Sequence, residues 1–127
     1  MKAVLFCAAL SSCFLILPAH AADDCADPQD QTTLTMCAGK DFEKADAKLN
    51  ADYKQIMARL KGNADATKLL VTAQRSWVAF RDAECLFQAS AVSGGTIYPM
   101  IVAMCQTDLT NERVKYRGPV HSAVGQR

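Results

Sequence analysis

The segment 70–85 constrains the fold most, because its apolar residues recur at helical spacing and it contains the only tryptophan of the chain. One predicted stripe of this helix consists of Leu70, Ala73, Trp77, Phe80 and Glu84. Arg81 and Cys85 lie beside that stripe, one and two turns after Trp77. We therefore expect one helix to hold an aromatic anchor, a cation that needs a partner and a thiol.

Two further segments have helical periodicity. The pattern predicts a first helix over 33–60, a second over about 63–89 and a third that begins near Thr96. Lys61–Gly62 and Gly94–Gly95 break the pattern, while β-strand patterns are weak. The sequence thus predicts an all-α, three-helix, up-down-up domain. The expected core of helix one is Phe42, Ala45, Leu49, Tyr53, Ile56 and Leu60, and that of helix three is Ile97, Ile101, Met104, Cys105 and Leu109.

The first 21 residues are typical of a secretory signal peptide. Lys2 precedes an apolar run that ends before Pro18, and the small-residue pattern that follows predicts cleavage after Ala21. The motif ending at Cys13 is similar to a lipoprotein cleavage box, but apolar residues continue after it, so we expect no lipid anchor. We expect a domain over 22–117, a flexible tail over 118–127, no transmembrane segment, and a periplasmic or secreted location.

Signal cleavage removes Cys7 and Cys13 of the six cysteines and leaves an even number, which indicates two disulfides with three possible connectivities. If helices two and three are antiparallel about Gly94–Gly95, Cys85 and Cys105 lie at the same height. Cys25 and Cys37 then pair by elimination. A bridge from Cys37 to Cys85 is the alternative, with an offset of about 7 Å along the helices.

The same height argument relates helices one and two, which are joined near Gly62. It places Asp46 level with Arg81, which needs a carboxylate if it is partly buried, and predicts that Asp82 points outward. We interpret this polar set as a packing network that fixes the register of the helices. Its members are Asp46, Asn50, Tyr53, Gln74, Trp77, Arg81 and Asp82.

Few residues are suited to catalysis or metal binding. His121 is the one histidine after residue 21 and we expect the remaining cysteines to be oxidised, so we predict neither a nucleophilic centre nor a zinc site. Basic residues are spread without aromatic interleaving, which argues against nucleic-acid binding. We expect no enzyme activity and no cofactor. The oligomeric state is not predicted.

Charge is unevenly distributed along the chain. Acidic residues outnumber basic ones over 22–46, and four of them form what we call the acidic arm, Asp23, Asp24, Asp27 and Asp30. Such an arm could steer a cationic partner or could simply be a solvated surface. We treat it as a candidate partner-binding segment.

Several motifs together are similar to the N-terminal domain of LprI-type lysozyme inhibitors. The resemblance runs from about Cys25 to Tyr116. Its motifs are Thr35–Ala38 around Cys37, Ala45–Asn50 with Tyr53, Ala73–Trp77, Phe80–Cys85, Gly94–Thr96, Cys105, and Leu109–Thr110 before Arg113. It implies an exported, disulfide-bonded helical domain that inhibits lysozyme, but no defined inhibitory residue.

Two functions follow as expectations. The first is an exported inhibitor that binds lysozyme and blocks peptidoglycan hydrolysis. The second is a periplasmic interaction or stress module with an unidentified envelope partner. The resemblance favours the first.

Overall fold

Three helices account for most of the chain. The structure is a computed structural model that describes the backbone of residues 25–124 and the side chains of residues 25–117. Helix α1 spans Gln31–Arg59, α2 spans Ala64–Gln88 and continues into a 3-10 turn over Ala89–Val92, and α3 spans Tyr98–Val124. No strand occurs within 25–124, so the all-α prediction is confirmed. The expected signal peptide lies outside the described residues.

Polar caps and glycines define the helix ends. The Asp30 carboxylate accepts hydrogen bonds from the backbone N–H groups of Thr32 and Thr33, which starts α1 two residues earlier than predicted. Asn63 caps α2 by accepting from the Ala66 N–H at 3.0 Å. The turn before α2 contains Gly62 at φ 91°, a left-handed conformation that favours glycine over other residues.

Helix α3 is the centre of the packing. It packs along α1 and against α2, whereas the backbones of α1 and α2 approach each other much less. The buried apolar residues come from all three helices and the 3-10 turn: Ala45, Leu49, Ile56, Cys85, Ala89 and Val114. The arrangement leaves the side of α2 that faces away from α3 in solvent.

This packing corrects part of the predicted core. Phe80 is 54% exposed and Met104 50% exposed, and Ala73 and Ile97 are also exposed. The buried side of α2 instead contains Arg81 and Cys85, about a quarter turn away from the predicted stripe. In the part of α3 up to residue 117, where side chains are described, the buried positions are Thr110, Val114 and Arg117.

Both predicted disulfides are present. Cys25 is bonded to Cys37 and Cys85 to Cys105, each with a Cα–Cα distance of 5.5 Å. The first bridge holds the residues before α1 against its second turn, and the second joins α2 to α3. The alternative bridge from Cys37 to Cys85 is excluded.

Helix α3 is longer than the sequence pattern indicates. Its backbone is continuous through the predicted bend at residues 108–110 and continues past Gly118 and Pro119 to Val124. The helix therefore extends into the segment 118–127 that we predicted as a flexible tail, and the mobility of that segment stays a prediction.

Candidate functional site

Arg81 lies at the centre of a polar network between the three helices. Its side chain is 7% exposed, and its Nη1 donates to Asp46 Oδ1 of α1 at 3.0 Å and to Thr110 Oγ1 of α3 at 3.4 Å. Its Nε donates to Asp82 Oδ1 at 2.9 Å. One guanidinium group thus connects all three helices, and the predicted pairing with Asp46 is confirmed.

The two carboxylates have further partners. Asn50 Nδ2 donates to Asp46 Oδ2 at 2.8 Å, and Gln106 Nε2 donates to Asp82 Oδ1 at 3.0 Å. Asp82 was predicted to point outward, and it does so only in part. Its side chain is 46% exposed, yet it accepts hydrogen bonds from both α2 and α3 because it lies at the edge where those helices meet.

Aromatic rings flank the cations of this network. The Arg81 guanidinium lies over the Phe42 ring at 4.9 Å and over the Trp77 ring at 5.4 Å from the ring centres. The Arg113 guanidinium lies over Trp77 at 5.4 Å. Trp77 is half-buried and contacts two cations, which is a stabilising arrangement for a ring with a negative face.

Two arginines of α3 extend the network toward the α1–α2 turn. Arg117 is 6% exposed and Arg113 is half-buried. Burial lowers the pKa of both, and the charge of Arg113 lowers the pKa of Arg117 further, while Tyr53 and Asp52 oppose that shift. Both groups nevertheless stay charged at neutral pH, because arginine titrates far above it.

Three buried polar atoms in this region have no hydrogen-bond partner. They are Arg113 Nε, Arg117 Nη1 and Gln74 Oε1. Gln74 and Tyr53 belong to the polar set predicted from the sequence, and both are half-buried. Such atoms commonly bind ordered water. They mark the part of the interior where hydrogen-bonding groups lack protein partners.

The acidic arm divides into residues with different environments. Asp27 is exposed, between Cys25 and Pro28. Asp30 caps α1 and also accepts from the Thr33 hydroxyl at 2.7 Å; these hydrogen bonds lower its pKa. Asp23 and Asp24 lie outside the described residues. Asp30 is therefore a structural residue, and the other three remain candidates for partner binding.

Sequence reasoning missed Gln106, Thr110, Arg113 and Arg117 as members of the network. Thr110 is fully buried, and it could have been found from the height argument that located the cysteines, since it lies close to the level of Arg81. The two arginines gave no such signal, because charged residues on an amphipathic helix ordinarily face solvent.

The arrangement is suited to fixing helix positions. At its centre, Arg81 is paired with both Asp46 and Asp82. Among the described side chains, no group of three or more histidine, cysteine, aspartate or glutamate residues is placed to hold a metal ion. No described helix is long and apolar enough to cross a membrane.

A sequence model described as "Lysozyme inhibitor LprI" matches residues 22–116. The chain belongs to the LprI family. The match includes both disulfides and the network residues up to Arg113, whereas Arg117 lies one residue beyond its end. The resemblance inferred from the sequence motifs is thereby confirmed.

One curated protein is similar to this chain over most of both sequences. "Uncharacterized protein R02472" of Rhizobium meliloti (strain 1021) is 33% identical, over 71% of this chain and 73% of its own length. No solved structure matches. LprI is a family of inhibitors rather than enzymes, and together with the disulfides it indicates an extracytoplasmic protein.

Proposed function

We propose that the chain is an exported lysozyme inhibitor that binds lysozyme and prevents it from hydrolysing peptidoglycan. The family match over residues 22–116 is the observation that supports this proposal. Export follows from the signal-peptide pattern over residues 1–21, and cleavage would leave the matched domain intact.

The fold supports an inhibitor that acts as a rigid surface. Two disulfides and a three-helix ion-pair network constrain the domain, so little conformational freedom remains to be lost when it binds. The charges of Arg81, Asp46 and Asp82 are paired with one another inside the network. Recognition therefore belongs to the outer surface of the helices and to the acidic arm.

The acidic arm is the candidate for steering the encounter. The Cys25–Cys37 bridge holds Cys25 against α1, which fixes the position of Asp27, two residues later, relative to the domain. Negative charges at fixed positions attract a basic partner through their electric field. This attraction raises the association rate more than it lowers the dissociation rate.

A hydrolysis assay with two substrates tests the function. Purified oxidised protein should inhibit lysozyme on bacterial cell walls and on a soluble chitooligosaccharide, with a stoichiometric end point. Inhibition on cell walls alone would mean that the protein shields the substrate rather than the enzyme. Absence of inhibition and of binding would favour the envelope module with another partner.

Charge variants test the steering. Asp24→Asn with Asp27→Asn should slow association with a basic lysozyme several-fold at low ionic strength and leave dissociation unchanged, because the two charges act at a distance. The matched control is Asp108→Asn with Glu112→Gln, which removes two exposed charges from α3. Equal effects from both pairs would exclude a specific role for the arm.

A further inference from the structure

The side of α2 that faces away from α3 is apolar and exposed. Four large side chains dominate it: Leu69 is 71% exposed, Phe80 54%, Leu86 52% and Phe87 73%. Small uncharged residues fill the positions between them. We call this surface the α2 outer face, and its members are Leu69, Thr72, Ala73, Ser76, Ala79, Phe80, Ala83, Leu86 and Phe87.

The extent of this face matches that of the largest apolar patch on a typical monomer, and such patches are often functional. Single exposed apolar side chains are common, but a continuous apolar surface along most of a helix marks a contact site. The nearest exposed cations, Lys68 and Arg75, lie at one edge, and the half-buried Glu84 lies at the other. No charged residue lies within the face.

The spacing of the central stripe is symmetric about its midpoint. The stripe consists of Leu69, Ala73, Ser76, Phe80, Ala83 and Phe87, at alternating steps of four and three residues. That alternation is the spacing of a coiled-coil seam. Position 78 is the midpoint between residues 69 and 87, between 73 and 83, and between 76 and 80.

We propose that the α2 outer face binds the same face of a second copy of this chain, with the two α2 helices antiparallel. In this register Leu69 lies opposite Phe87 of the second copy, and Ala73 lies opposite Ala83. Ser76 lies opposite Phe80, so that a small residue receives a large one near the two-fold axis. A surface that is symmetric about its midpoint is what an isologous dimer requires.

The exposed area is sufficient for such a dimer. With about 200 Å² for a whole aromatic side chain, the four large residues expose roughly 450 Å² per copy. In two copies, these four residues together expose about 900 Å². The alanine, serine and threonine positions add to this area. A specific interface buries about 1,000 Å² or more in total, which the complete face reaches.

Measurement of mass against concentration tests the dimer. Light scattering or sedimentation of the purified oxidised protein should show one chain mass at low micromolar concentration and two at submillimolar concentration. Phe80→Arg should raise the dissociation constant at least about 100-fold, because the interface contains the substituted position twice. Met104→Arg introduces the same charge at a position of α3 that is 50% exposed, and should leave the dimer unchanged.

A second variant separates loss of association from loss of folding. Phe87→Arg changes a side chain that is 73% exposed, so the fold should retain its helical circular dichroism and melting temperature while the dimer dissociates. If the parent protein has a single chain mass at every concentration, the proposal is wrong.

Cysteine cross-linking tests the orientation. Ala73→Cys combined with Ala83→Cys should give a covalent dimer under mild oxidation, whereas Ala73→Cys alone should not. The two positions are about 15 Å apart on one helix, too far for a bond within a chain. Linking by Ala73→Cys alone would indicate parallel helices and contradict the register.

The dimer does not depend on lysozyme binding, so the two proposals fail separately. A monomeric parent whose lysozyme binding is abolished by Phe80→Arg would overturn the dimer and assign the face to lysozyme. A dimer that has no effect on lysozyme would leave this inference standing and contradict the proposed function.

Discussion

Replacement of Arg81 tests the idea that the central network is structural. Arg81→Ala removes the guanidinium that joins Asp46, Asp82 and Thr110, together with the side chain that packs against Trp77. Arg81→Met retains most of the volume and removes the charge. Comparison of the two variants separates the electrostatic contribution from the packing contribution.

The expected cost follows from the exposure of the partners. Hydrogen bonds to charged groups contribute about 1.5–3 kcal/mol when both partners are buried. The side chains of Asp46 and Asp82 are 36% and 46% exposed, so water rehydrates them when Arg81 is lost. We therefore assign about 1 kcal/mol to the loss of each ion pair. Loss of the contacts with two aromatic rings adds about 1 kcal/mol. Both variants lose the ion pairs and the cation–π contacts, so we expect Arg81→Met to cost about 3 kcal/mol. Arg81→Ala should cost more, because it also leaves a cavity where the side chain packed.

Urea unfolding of the oxidised variants measures these values. The midpoint should fall while the slope stays that of the parent, because the unfolded chain exposes nearly the same surface. A double-mutant cycle with Asp46→Asn should give a coupling energy of roughly 1 kcal/mol. If Arg81→Met unfolds at the parent midpoint, the network does not stabilise the fold, and a role for Arg81 in binding becomes the better explanation.

The remaining predictions concern other features of the domain. Trp77→Ala should lower the free energy of unfolding by about 2–3 kcal/mol, measured in urea, with a smaller loss for Trp77→Phe. Replacement of both Cys85 and Cys105 by alanine should cost about 3 kcal/mol in the same assay, since that bridge closes a long loop. Asp30→Ala should lower the melting temperature at neutral pH and flatten its decline in acid. The hydrogen bonds from Thr33 lower the pKa of Asp30, so its contribution is complete above the ordinary value of 3.8 and is lost as the pH falls through the lower folded-state value. A difference in melting temperature between parent and variant that is the same in acid as at neutral pH would contradict this last prediction.

The sequence predicted the order of the helices and several pairings correctly, because turn positions and helical rise determine which residues share a height. The Asp46–Arg81 ion pair and the Cys85–Cys105 bridge both followed from that geometry. The position of residues along the helix axes does not determine which helix lies between the other two. The central position of α3 therefore came only from the structure.

The orientation of α2 was predicted less well. Apolar residues occur on both sides of this helix, so periodicity alone could not decide which side is buried. Phe80 was assigned to the core but is exposed, and the charged Arg81 is buried beside it. A cation becomes a core residue here because three acceptors from different helices converge on it, and that convergence does not appear in a linear pattern.

The placement of the two disulfides affects how the chain refolds. One bridge lies within the arm and the first turns of α1, the other ties α2 to α3, and neither joins α1 to the rest of the domain. An oxidised chain that has lost its structure keeps α2 and α3 linked as a hairpin, which shortens the search for their mutual register. Recovery then requires one long-range event, the docking of α1 onto that hairpin. Asp46 reaches Arg81 only when α1 has docked at the right height, so this ion pair distinguishes the correct register from one shifted by a turn.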